Sequence, residues 1–98
     1  MHQHHVNLAL QIVPQVPSEK VYAVVDEAIA IIQNSGLKYR VCPFETVMEG
    51  PYDAVMEVVR LAQEACFKAG AGQLLVYVKI QNNQERSVTI EDKTGKYD

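Results

Sequence analysis

The residues best able to do chemistry fall between positions 39 and 56, YRVCPFETVMEGPYDAVM. Thr46 and Glu49 stand just ahead of Gly50-Pro51, where a strand-like run breaks into an apolar helix. Glu45 and Glu49 are four residues apart, so an extended chain points both to one side. As a general acid/base pair they would need a nucleophile, a metal or a positioned water, and no such motif accompanies them. A carboxylate next to a helix start can instead accept hydrogen bonds from an amino-bearing ring and oppose a positive one. The pattern suits holding a small polar ligand rather than breaking a bond.

Other chemistries find less support. His2, His4 and His5 have the H-x-H-H form of a metal grip, but they sit at a terminus that tends to fray. Ser18, Ser35 and Ser87 lack a nucleophile elbow, and the expected core holds no histidine to activate them or Cys42 and Cys66. Gly70-Ala71-Gly72 leaves a helix, whereas a phosphate cradle leads into one. An acylphosphatase-like hydrolase would need an arginine in the loop after the first strand, and Pro14-Gln15-Val16-Pro17 has none. No catalysis, metal or cofactor is therefore expected. Tyr39, Phe44, Tyr52 and Tyr77 are each able to stack on a flat or cationic ring.

The chain that positions these groups has 98 residues, 48% hydrophobic and 21% charged, as in an ordinary single domain with one core. Twelve acidic residues against nine basic ones give a net charge of -3, which argues against duplex nucleic acid as a partner. Aromatics at 7%, away from basic clusters, do not form a single-strand stacking platform. Two cysteines outside any C-x-x-C pair read as free thiols in a reducing compartment. The N-terminus is unlike a signal peptide, and no run approaches the roughly 18 apolar residues of a membrane span. A cytoplasmic protein is expected.

Residues 6–13 alternate apolar and polar, the mark of a half-buried strand. Ser18 is placed as the N-cap of a helix over 19–34, whose stripe includes Val21, Val24, Val25, Ala28 and Ile32. Asn34-Ser35-Gly36 stops it. Strands over 37–44 and 45–49 follow, then a helix over 52–69 with Pro51 in its first turn, then a strand over 73–81. The order β-α-β-β-α-β predicts an α+β ferredoxin-like sandwich: a four-stranded antiparallel sheet with both helices on one face, its first and third strands central. The whole chain reads as one domain with a core over 6–81. Its polar tail, 82–98, could add a short strand at 87–91.

The sheet face away from the helices should carry Asn7, Ala9, Gln11, Leu75, Tyr77 and Lys79, with Arg40 and Cys42 nearby. That mixture is too apolar to be left wholly in water, so a homodimer or homotetramer through the sheet is expected.

With these residues in view, the chain resembles the small thiamine-binding protein family, single-domain relatives of the hydroxymethylpyrimidine/thiamine-binding proteins. The resemblance rests on Asn34-Ser35-Gly36-Leu37-Lys38-Tyr39, Pro43, Thr46-Val47-Met48-Glu49-Gly50, Asp53-Ala54-Val55-Met56 and Val78-Lys79-Ile80. It implies a ferredoxin-like sandwich, assembly through sheets, and binding of thiamine or its aminopyrimidine part without a reaction. Carried over by position, Thr46 and Glu49 are the leading ligand residues, with Gln11 and Lys79 from the sheet; Tyr77 joins them as an aromatic on the same face able to stack on a ring. Glu45 stands where the family usually has glycine, a bulkier and charged residue at the pocket. The expected function is a cytoplasmic carrier of a thiamine-like molecule. The alternative is an oligomerising module without a vitamin ligand.

Overall fold

A computed structural model describing residues 2–98 has four strands in the order β2-β3-β1-β4, all neighbours antiparallel. The strands are β1 (His5–Pro14), β2 (Lys38–Val41), β3 (Thr46–Pro51) and β4 (Leu74–Gln81). Helices α1 (Val21–Gln33) and α2 (Tyr52–Lys68) pack on one face, giving the ferredoxin-like sandwich with β1 and β3 central. The reason is the period-two pattern of β1. Val6, Leu8 and Leu10 are buried beneath the helices, opposite Gly50, Met48 and Thr46 of β3. Val24, Ala28 and Ile32 of α1 and Val55, Val59, Ala62 and Cys66 of α2 close the same core. Each fully buried aliphatic side chain contributes about 1.5–3 kcal/mol.

Several boundaries differ from the sequence expectation, each for a local reason. Ser18 does not cap α1: Ser18–Lys20 forms a 3₁₀ turn in which the Lys20 N–H donates to Pro17 O at 2.8 Å. Lys20 then becomes the N-cap, without a side-chain bond. Pro51 ends β3 and caps α2 instead of lying inside its first turn. The strand expected at 37–44 shortens to Lys38–Val41, and the one expected at 45–49 shifts to Thr46–Pro51, because the Cys42 N–H donates to Glu45 O at 2.9 Å, which closes the turn around Pro43 and Phe44. Gly36 takes the left-handed φ of 80° that stops α1. Gly50 packs closely: a Cβ there would lie 2.9 Å from Leu37 Cδ2, so the Leu37 side chain would have to shift.

The tail does not add a strand. After one backbone bond, Val88 N–H to His5 O at 2.9 Å, it turns into α3 (Ile90–Thr94) and a 3₁₀ turn, Gly95–Tyr97. Thr89 and Asp92 form a reciprocal capping box, and the Thr89 backbone N–H first of all holds the Asp92 carboxyl below its usual range. This segment folds back over the open face of the sheet and buries Val88 and Ile90. Three further bonds pin it. Asn7 Nδ2 donates to Val88 O at 3.1 Å, the His5 N–H to Ser87 Oγ at 2.9 Å, and the Ile90 N–H to Glu49 Oε1 at 2.7 Å.

Leu8→Ala, at a fully buried site, should cost about 2–5 kcal/mol in denaturant melts. Glu49→Ala should cost about 1–2 kcal/mol by orphaning the Ile90 N–H. It should accelerate hydrogen exchange at 88–94 while leaving β1 and β3 protected. Equal acceleration in the central strands would contradict the local role given to Glu49.

Candidate functional site

Strand register lays out the open face in rows. Arg40 pairs with Val47, Val47 with Ala9 and Ala9 with Lys79, so one row runs across all four strands. Its ends are cationic and its middle is small and apolar. Three strand spacings separate the Arg40 and Lys79 backbones by roughly 14 Å. The next row is Lys38, Glu49, Asn7 and Gln81, and this is the row that the tail covers. Between the sheet and the tail lies a cavity of about 360 Å³, with Ala9 and Val47 among its floor residues and Asn7, Arg40, Glu45 and Lys93 among the polar ones. That volume falls at the low end of small-molecule sites, roughly 300–1,000 Å³.

Its depth has a sequence cause. Ala9 is the smallest side chain of its row, so the floor dips at the middle of the sheet. Lys79 reaches from β4 across β1 to Glu45, with Nζ and Oε1 3.1 Å apart. At the opposite end Arg40 forms a two-pronged bond with Asp98, Nη2 to Oδ1 at 2.7 Å and Nη1 to Oδ2 at 2.8 Å, and also donates to Thr94 Oγ1 at 3.2 Å. Arg40's hydrogen bonds hold the Asp98 carboxyl below its usual range, helped by the guanidinium charge. The folded value is the lower one, so the pair persists above the ordinary carboxylate range and is lost as pH falls through the depressed value. Lys93 completes the cationic side and has no carboxylate within ion-pair distance among the described residues.

The expected ligand residues are only partly brought together. Lys79 lines the cavity. Gln11 and Tyr77 pair with each other on the same face, one row beyond it. Thr46 and Glu49, both expected to hold the ligand, lie on opposite faces of β3: Thr46 opposes Leu10 and is buried toward the helices, whereas Glu49 opposes Asn7. A separation of three residues in a strand guarantees that split. Glu49 is half-buried beside the bend, and its Oε1 accepts from the Ile90 N–H of the tail. Arg40, Asn7, Lys93 and Thr94 were not among the expected ligand residues. The available signal was Thr89-x-x-Asp92, a capping pattern that announces a short helix between apolar Val88 and Ile90 and the end of the chain.

The remaining candidates stay apart from the cavity. The His4 N–H donates to His2 Nδ1 at 3.1 Å, and among the described residues no group of three His, Cys, Asp or Glu side chains is placed to hold a metal. Cys42 and Cys66 are free thiols, and burial pushes the Cys66 thiol up. Among the described residues no helix is long and apolar enough to cross a membrane.

Comparison with known proteins agrees with this architecture. The profile of the thiamine-binding protein family matches residues 8–98. A UPF0045 protein of Clostridium perfringens is 43% identical over 91 residues, 93% of this chain and 95% of that protein. Among solved structures, a domain of unknown function, DUF77, from Bacillus cereus superimposes with a TM-score of 0.91 at 40% identity, covering 97% of this chain and 91% of its own. A Thermotoga maritima protein, assigned without confirmation to thiamine biosynthesis or salvage, superimposes with a TM-score of 0.88 at 29% identity, covering 96% and 99%. A profile match over nearly the whole chain, joined to a closely superimposable fold, settles the kinship: the chain belongs to the thiamine-binding protein family.

Proposed function

We propose that the cavity between the sheet and the tail binds thiamine or its aminopyrimidine part, as a carrier without a reaction. The observation that carries this reading is the cavity itself: a small apolar floor at Val47 and Ala9, rimmed by polar groups, in a chain of this family. A flat ring would lie on the floor. Asn7 and Glu45 of the lining would offer it hydrogen bonds, Lys79 closes one end, and Gln11 and Tyr77 border the next row. Glu49 would act at one remove, by holding the tail that roofs the site. Thr46 would shape the floor from the opposite side of β3.

A second reading has its own observation. β4 is an edge strand whose outer edge has no strand partner among the described residues, and it exposes apolar side chains on both faces: Leu75 and Tyr77 on one, Val78 and Ile80 on the other. Exposed, unpaired edges of this kind favour pairing with another chain. Self-association through β4 and the sheet is compatible with ligand binding, and alone it would make the protein an assembly module.

Titration calorimetry with thiamine and hydroxymethylpyrimidine should give saturable heat. Ala9→Phe, which fills the floor without touching the helix-facing core, should weaken binding by at least ~10-fold, equivalent to about 1.4 kcal/mol. Absence of heat with both ligands would remove the carrier reading. In native mass spectrometry the protein should run as a dimer or tetramer, and Leu75→Glu with Tyr77→Glu should shift it toward monomer. A monomeric wild type would exclude the assembly reading.

A further inference from the structure

We propose that the site is built for a phosphorylated ligand, and that Asp98 is an internal stand-in for the phosphate, holding the Arg40 fork until the ligand takes it. This rests on the vitamin-binding reading above and specifies the ligand's chemical class. The cavity lining carries three cations, Arg40, Lys79 and Lys93, against one carboxylate, Glu45. Glu45 is already paired with Lys79. An unphosphorylated thiazolium would bring a fourth positive charge into that lining with no free carboxylate to meet it. A phosphate monoester, at about −1.5 to −2, outweighs the thiazolium charge and makes the ligand itself net anionic.

Geometry points the same way. The guanidinium of Arg40 meets Asp98 through two parallel bonds of 2.7 and 2.8 Å, an arrangement that a phosphate reproduces oxygen for oxygen. Thr94, which also lines the cavity, accepts a bond from the same Arg40 Nη1, and its hydroxyl lies within donor reach of Ile90 O at 3.2 Å and of Asp98 Oδ2 at 3.5 Å, the second a contact that a phosphate oxygen in place of Asp98 would take over. Lys93, one residue before Thr94, is a cation without a carboxylate partner among the described residues. The Arg40–Asp98 pair is nearly half exposed on both sides, so exchanging one anion for another exposes no buried charge. Asp98 also lies eight residues beyond Ile90, so its side chain can turn away from Arg40 without disrupting Val88, Ile90 or the Glu49 bond. The anion subsite is thus at the Arg40 end of the row, and the ring lies over Val47 and Ala9.

Calorimetry with thiamine, thiamine monophosphate and inorganic pyrophosphate separates the possibilities, using wild type, Asp98→Asn, Lys93→Ala and Arg40→Gln. Thiamine monophosphate should bind at least ~10-fold more tightly than thiamine, the increment expected of charge-assisted phosphate bonds. Asp98→Asn should strengthen the monophosphate several-fold and leave thiamine unchanged, while Lys93→Ala should weaken only the monophosphate. Arg40→Gln should erase both the preference and the effect of Asp98→Asn, which distinguishes loss of a competitor from mere loosening of the tail. Binding of thiamine with no gain from the phosphate, or with no response to Asp98→Asn, overturns the anion subsite and leaves the carrier reading intact. Pyrophosphate binding that depends on Arg40, with neither thiamine compound bound, supports the subsite and removes the vitamin. No heat from any of the three overturns both.

Discussion

The antiparallel pairing of β1 with β3, with Leu8 opposite Met48 and Ala9 opposite Val47, is the contact on which the rest of the molecule depends. Both even-numbered residues of that quartet are fully buried beneath the helices, and both odd-numbered ones floor the cavity. A slip of one residue would send Leu8 to the tail and Ala9 to the helices, exchanging core for site. The hydrophobic cost of that exchange locks the register. Because the register is locked, the position of Arg40 relative to Lys79 is also set, although neither side chain contributes to the core.

The two faces of the sheet are therefore governed by different forces. The helix face is held by close packing of aliphatic side chains, tight enough at Gly50 that an added carbon would displace Leu37. The other face is held by a few directional bonds from Asn7, Glu49 and Arg40 to a short, self-capped tail. Such a cover is well positioned yet shallow, since only Val88 and Ile90 are buried within it. A roof of this kind can define a site and still give way at its exposed end, where an ion pair rather than packing closes it.

Much of the architecture was legible along the chain. Alternation in β1, the wide stripes of α1 and α2 and the Gly36 stop define elements whose order admits few topologies, and the four-stranded sandwich follows from chain-connection rules. Helix starts were less legible, because the Pro17 turn competes with Ser18 for the same backbone groups. The tail was the least legible segment. Its alternation of Val88 and Ile90 fits a strand, and the Thr89–Asp92 box, worth little in isolation, became decisive once Glu49 supplied an acceptor for the Ile90 N–H.

For the site, sequence alone determined which side chains share a face, since parity along a strand is a local property. It placed Lys79, Ala9 and Gln11 together and, applied to Thr46 and Glu49, separates them. Tertiary structure decided which of the co-facial residues meet. Arg40 and Asp98 are far apart along the chain and come together only when the tail folds back, and the depth over Ala9 exists only beneath that fold. Local periodicity records the face a residue occupies. It cannot record what lies above that face, because covering it is a contact between distant segments selected by the whole fold.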